Sequence, residues 1–300
     1  MIIGLKTYWI HIFITLLVLL LAHLLPPWIQ SLMAFIMIFS VGIIHGANDL
    51  ELIQKKTQEY SQLFYVKALL LYIMVVLLGV GLFFFFPALG LLFFLLFSAY
   101  HFGEQHLETK ILPPCPRFLR FLTYIAYGTA LFGLLFTLQW NEVHQIIYHI
   151  SGQFVSKQTT EISFFCGMIV FIGLGLINTA LRHWLLFEVL LILLFGWLFS
   201  RSSLLLGFGL YFVLWHSVPS MHDQLNFLYP NATNRGWKYF RASLPYWVLS
   251  LMGLVGVSLY FDIHSSAFLP LFFSFLAAIT FPHAVVMGWL KWVTLNAPDS

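Results

Sequence analysis

Charge is scarce in this sequence. Aspartate, glutamate, lysine and arginine together make up 8% of its 300 residues, against roughly 25% in an ordinary soluble domain. That deficit argues against a water-soluble globular fold. Basic runs are missing too, and there is no aromatic–basic patch, so no nucleic-acid partner is indicated. Cysteine is reduced to Cys115 and Cys166. Two cysteines so far apart offer neither a metal-binding spacing nor a disulfide framework. The first apolar stretch, residues 8–25, runs on as LAHLLPPW without a small-x-small cleavage site. This helix is therefore expected to be retained, not removed as a signal peptide.

What the chain has in quantity is apolar length. Hydrophobic residues make up 61% of it, and the mean hydropathy is +0.91. These values predict an all-α, polytopic transmembrane bundle, read as one integral membrane domain over residues 1–300. Hydrophobic runs suggest about ten spans, near 8–25, 28–46, 63–86, 88–105, 118–138, 162–180, 183–200, 203–221, 243–260 and 267–289. Pro26-Pro27 and Pro87 fit tight connections between spans. If the spans alternate, twelve of the fourteen Lys and Arg residues fall on one side, with Lys157 and Arg201 on the other. The positive-inside rule then places both termini in the cytoplasm, in a multi-pass protein of the inner membrane.

Ionisable groups inside a membrane face the bundle interior and mark function. Four histidines stand out: His45 in HGANDLE, His101 in HFGEQH, His216 in WHSVPSMHDQ and His283 in FPHAVVM. They fall on the second, fourth, eighth and tenth expected spans, which all run in the same direction. Each lies roughly 13–17 residues from the outer end of its span, about 20–25 Å deep. Imidazole is the commonest protein metal ligand. Four imidazoles at one depth read as a buried metal site, with iron the expected metal, although imidazole suits several. The bland alternative is a set of packing histidines bonded to backbone or hydroxyl groups. Spacings of 56 and 67 residues within the two pairs are too unequal to establish an internal duplication.

Asp49 follows His45 by four residues and Glu104 follows His101 by three. On a continuing helix each acid faces the same way as its histidine. A carboxylate there fixes the tautomer of a ligand imidazole, so Asp49 and Glu104 are the candidate catalytic acids. Alternatively they cap helix ends or face water. His106 and His222 lie five and six residues beyond His101 and His216, off their helix face and expected at the membrane surface. They are additional metal-ligand candidates. His23, His144, His149 and His264 fall on the outer side, and His11 and His183 are isolated; structural or interfacial roles are expected for all six. Pro219 and Pro282 are expected to kink their helices. The 33 phenylalanines either line an apolar channel or pack against lipid and neighbouring helices.

HGANDLE, AYHFGEQH, LWHSVPSMHDQ and FPHAVVM, in this order, resemble the Brp/Blh family of membrane β-carotene 15,15′-dioxygenases. The resemblance covers residues 41 to about 290. It implies a non-haem Fe(II) held by histidines, and O₂-dependent cleavage of β-carotene at its central double bond to two molecules of all-trans-retinal. It carries His45, His101, His216 and His283 over as the iron ligands, with Asp49 and Glu104 behind them. One departure stands out. Some members have a second histidine four residues after the first in the third motif, where this chain has Ser220. Either His222 replaces it or His283 completes the set, and depth favours His283. The implied partners are β-carotene, O₂, the lipid bilayer and a retinal-using rhodopsin downstream.

Two other classes stay open on the residues alone. A membrane lipid desaturase or hydroxylase uses clustered H-x₃-H and H-x₂-H-H boxes, which this sequence lacks. A non-catalytic transporter or haem-bearing protein also uses intramembrane histidines. Gly79-x-Gly81 and Gly207-x-Gly209 are its only support here, as sites for broken helices.

Overall fold

The computed structural model describes residues 5–111, 115–258 and 268–295. His264 lies outside them. Among the described residues there are thirteen α-helices: α1 (Leu5–Leu24), α2 (Pro27–Met37), α3 (Asp49–Thr57), α4 (Gln62–Phe85), α5 (Pro87–Leu107), α6 (Arg117–Leu138), α7 (Trp140–Ser151), α8 (Lys157–Ile177), α9 (Thr179–Arg201), α10 (Leu204–Leu210), α11 (Val218–Leu228), α12 (Arg235–Ser258) and α13 (Phe268–Leu295). No strand occurs among the described residues. Two wide, π-helical turns interrupt the series, π1 (Ile38–Gly42) after α2 and π2 (Tyr211–Ser217) between α10 and α11. A 3₁₀ turn, Glu108–Lys110, extends α5.

The helix starts follow local chemistry. Ser61, Ser156, Asn178 and Ser203 cap α4, α8, α9 and α10, each accepting a backbone N–H with its side-chain oxygen. These caps satisfy donors that a helix start leaves open. Proline stands at the first position of α2 and α5, where its missing N–H costs nothing.

Eight stretches are long and apolar enough to cross a membrane: Thr7–Leu24, Gln62–Phe85, Pro87–Lys110, Arg117–Leu138, Lys157–Ile177, Thr179–Arg201, Leu204–Leu228 and Phe268–Lys291. They coincide with eight of the expected spans. The other two expected spans are helical but differ in form. The run at 28–46 is the shorter helix Pro27–Gly42, bounded by Pro26-Pro27 and by the turn at 45–48. Of the run at 243–260, residues 243–258 belong to α12, whose first two turns carry Arg235, Lys238 and Arg241, and 259–260 lie outside the described residues. Pro282 sits inside α13 without breaking it, and π2 ends two residues before Pro219. A proline there cannot donate to the preceding turn, and the wide turn takes up the change of register.

The chain packs as two compact units. One comprises residues 1–42, 98–145 and 154–219, the other residues 43–97, 146–153 and 220–300. In the first, Tyr127, Leu131, Phe171, Leu181, Phe195 and Phe199 are fully buried. Gln30 joins three chain segments: its Nε2 donates to the Ala22 and Leu25 carbonyls, and its Oε1 accepts from the Ser203 N–H. Helices α5 and α6 touch backbone to backbone. A Cβ at Gly103 would lie 2.0 Å from the Tyr124 carbonyl oxygen, and one at Gly128 would lie 1.9 Å from that of Ala99. His101 falls between Ala99 and Gly103, so this contact fixes the helix that carries it. Small residues at such crossings replace the hydrophobic effect that a membrane cannot supply. The second unit has its own core of Leu52, Leu228, Tyr239, Val286, Met287 and Leu290.

Gly128→Ala is expected to destabilise the protein by about 1–3 kcal/mol, because the methyl group has no room. Gly81→Ala, which faces open space, is expected to be neutral or to stabilise by up to about 1 kcal/mol. Thermal unfolding of the two variants in detergent checks the contrast.

Candidate metal centre

The four motif histidines are all buried, at 2–5% exposure. The structure brings them together as two pairs, one in each unit.

The first unit holds His101 on α5 and His216 in π2. Their ring centroids are 4.8 Å apart in an edge-to-face arrangement. Phe102 stacks on His216 at 4.3 Å, and Phe212 lies nearly parallel to it at 5.8 Å. Phe208 stacks in turn on Phe212. Gly42, the last residue of π1, leaves room for this row: a Cβ there would come within 2.9 Å of the Phe212 ring. Glu104 accepts a hydrogen bond from the Tyr100 hydroxyl at 2.9 Å. Its other oxygen is 4.0 Å from His101 Nδ1, within ion-pair range but beyond a hydrogen bond.

The second unit holds His45 and His283, again edge to face, with centroids 4.7 Å apart. His283 Nδ1 is 2.9 Å from Asp49 Oδ1, and Tyr72 donates its hydroxyl proton to Asp49 Oδ2 at 3.0 Å. His45 is held through its backbone. Its carbonyl accepts from Gln224 Nε2 at 2.9 Å, and the Tyr239 hydroxyl is 3.2 Å away. The same hydroxyl is 2.8 Å from Gln224 Oε1, and Asn48 Nδ2 donates to the Tyr239 carbonyl. The motif glycine Gly46 faces its partner: a Cβ there would sit 3.4 Å from the His283 ring, in ordinary contact.

Two expectations are corrected. Asp49 pairs with His283, not with His45. The helix does not continue through His45; residues 45–48 form a turn and Asp49 opens α3, so the four-residue spacing no longer places both on one face. His106, read as an outer companion of His101, is buried inside the protein: its Nε2 is 2.7 Å from Glu188 Oε2, and its ring stacks on Tyr127. His222 is exposed and lies beside Asn226 and Asp223. Of the histidines expected to be structural, His11 is buried against Trp215 and His144 stacks on Trp140, while His23, His149 and His183 are exposed. Among the described residues, no group of three or more His, Cys, Asp or Glu side chains that could hold a metal ion is present.

The sequence reading gave no role to Tyr72, Tyr239 or Glu188. Tyr72 and Glu188 carried a usable signal. Tyr72 is the one polar residue between Lys67 and Gly79, and Glu188 the one charged residue between Arg182 and Arg201. Tyr239 lies in a polar helix start and has no such contrast around it.

Paired, buried histidines in a chain with eight apolar helices long enough to cross a membrane define a class of integral membrane protein with imidazoles in its interior. The family described as beta-carotene 15,15′-dioxygenase matches residues 36–291, and the chain belongs to it. The match takes in all four histidine motifs. Searches of curated proteins and of solved structures found no match.

Asp49→Ala removes the carboxylate from His283 Nδ1 and from the Tyr72 hydroxyl. Loss of these buried bonds is expected to cost about 1–3 kcal/mol. Asp49→Asn, which keeps one acceptor oxygen, is expected to cost less. Thermal midpoints of the two variants against the parent check the order.

Proposed function

We propose that this chain cleaves β-carotene with O₂ at the central 15,15′ double bond, giving two molecules of all-trans-retinal, at a non-haem Fe(II) held by His45, His101, His216 and His283. Membership of the β-carotene 15,15′-dioxygenase family carries the reaction. The shared geometry of the histidine pairs supports the ligand assignment. In each pair the rings meet edge to face, with centroids 4.8 and 4.7 Å apart, so the two imidazoles of a pair are close enough to share one ion. Imidazole nitrogen suits ferrous iron among other metals. His106 is left out of the ligand set because its Nε2 is committed to Glu188, and His222 because it is exposed.

When bound, the iron supplies the O₂ chemistry that no side chain provides. The protein's part is positioning and exclusion of water. Asp49, itself held by Tyr72, accepts a hydrogen bond from the Nδ1–H of His283 and so leaves Nε2 as the donor nitrogen. Gln224 and Tyr239 fix the backbone at His45. Phe102 and Phe212 pack on the His216 ring and Phe208 packs on Phe212, giving the imidazole apolar aromatic surroundings. β-Carotene has no polar group to grip, so the choice of double bond rests on the shape of apolar surfaces. We place the protein in the inner membrane, where the bilayer delivers the substrate and a retinal-using rhodopsin is a downstream partner.

Expression in a β-carotene-producing bacterium, with chromatography of the pigment extract, tests the reaction. Retinal is expected to appear as β-carotene falls. Unchanged β-carotene, with the protein in the membrane and iron supplied, would sink the reading. Alanine at His45, His101, His216 or His283 is expected to abolish retinal formation and to lower iron content. Removing the metal with a chelator is expected to stop cleavage, and Fe(II) to restore it.

A further inference from the structure

Beyond the four motif histidines, the first unit buries a second polar cluster. Glu188 lies midway along α9 with its side chain fully buried. Its Oε1 accepts from Lys110 Nζ at 2.5 Å and its Oε2 from His106 Nε2 at 2.7 Å. Both donors are at least 97% buried as side chains. Aromatic rings enclose them: Lys110 Nζ is 4.8 Å from the centre of the Tyr8 ring, and His106 lies parallel to Tyr127 at 4.8 Å. One carboxylate thus ties the end of α5 and its 3₁₀ extension to α9, with α1 and α6 packed around the tie.

Apolar side chains would hold these helices together without burying charge. Buried ions are costly in a membrane, and an ion pair with both carboxylate oxygens engaged fixes one setting of its helices where apolar contacts allow sliding. The setting concerns His101 and His216. His101 precedes His106 by five residues on α5. Trp215, next to His216, lies 6.3 Å from His106 and donates its indole N–H to Thr15. The network therefore reaches His216 through its chain neighbour Trp215, and His101 along the same helix, α5, from His106.

We infer that Glu188 is a positioning residue for the His101–His216 pair, acting through His106, Lys110 and Trp215 to set the register of α5 against π2. This rests on the reading of both histidines as metal ligands. Glu188→Gln keeps the shape and removes the charge. The double variant Glu188→Met/Lys110→Met removes both charges together, which a folded interior tolerates better than one left alone. Thr160→Val, which breaks a Thr137–Thr160 bond between α6 and α8 in the same unit, serves as a control for lost stability.

Iron per chain, iron affinity and thermal midpoint are measured on each purified variant. Glu188→Gln is expected to bind iron roughly 10-fold more weakly, the low end of what loss of a group bonded directly to a metal ligand costs, because Glu188 acts one step further out. Thr160→Val is expected to lower the midpoint and leave iron affinity unchanged. If Glu188→Gln fails to fold, the double variant decides: weakened iron binding supports the inference and parental binding overturns it. Parental iron affinity in a folded Glu188→Gln also overturns it. So does failure of both variants to fold, which would make the network a requirement of folding alone. A parent protein that binds no iron would overturn the ligand reading and this inference with it, an outcome distinguished by measuring the parent first.

Discussion

A polar group in the membrane interior has no water to turn to. Every buried donor and acceptor must find its partner inside the protein, and the described structure is organised around that demand. Gln30 uses three hydrogen bonds to close the break between α1 and α2 and to tie in the start of α10. Gln224 and Tyr239 hold the carbonyl at the turn after π1. Asp49 takes both an imidazole and a phenol. Glu188 takes an amine and an imidazole. These are the places where the apolar pattern is interrupted, and each interruption ties down a helix end or a histidine.

The same demand separates two kinds of polar cluster. Around His283 the acid and phenol form a short chain ending at an imidazole, which suits the orienting of a ligand. Around Glu188 opposite charges close on each other, which suits mechanical fixing. Aromatic rings serve in both settings. The row Phe208–Phe212–His216 keeps one face of its imidazole dry, and Tyr127 and Trp215 flank His106. The motif glycine Gly103 has a mechanical role as well: it lets α5 rest on the α6 backbone, so the short sequence around His101 records packing as much as chemistry.

Much of this was legible in the chain because contrast is high. A histidine in an apolar run is conspicuous, and all four motif histidines proved buried and paired. Eight long spans were visible from hydropathy alone. The partner of Asp49 was not, because helical spacing assumes an unbroken helix and residues 45–48 break it. The burial of His106 was hidden for a related reason. Its distance along α5 pointed toward the surface, but burial was decided by α9, whose carboxylate lies 82 residues further along the chain. Local periodicity describes a helix and does not report what packs against it. The charged start of α12 hid Tyr239, whose hydroxyl reaches back to a carbonyl 194 residues away.

The wide turn at 211–217 has a consequence for how the chain can change over time. A π-helical turn accommodates one residue more than an α-helical turn would. Losing a residue there would turn everything beyond it by about 100° around the helix axis. The face that carries Ser220 and Gln224 would swing away from the carbonyl of His45 that Gln224 now holds. Substitutions along this segment alter one side chain at a time, whereas a length change rewrites the whole face, so the spacing between Phe212 and Gln224 is under tighter constraint than the identity of most residues within it.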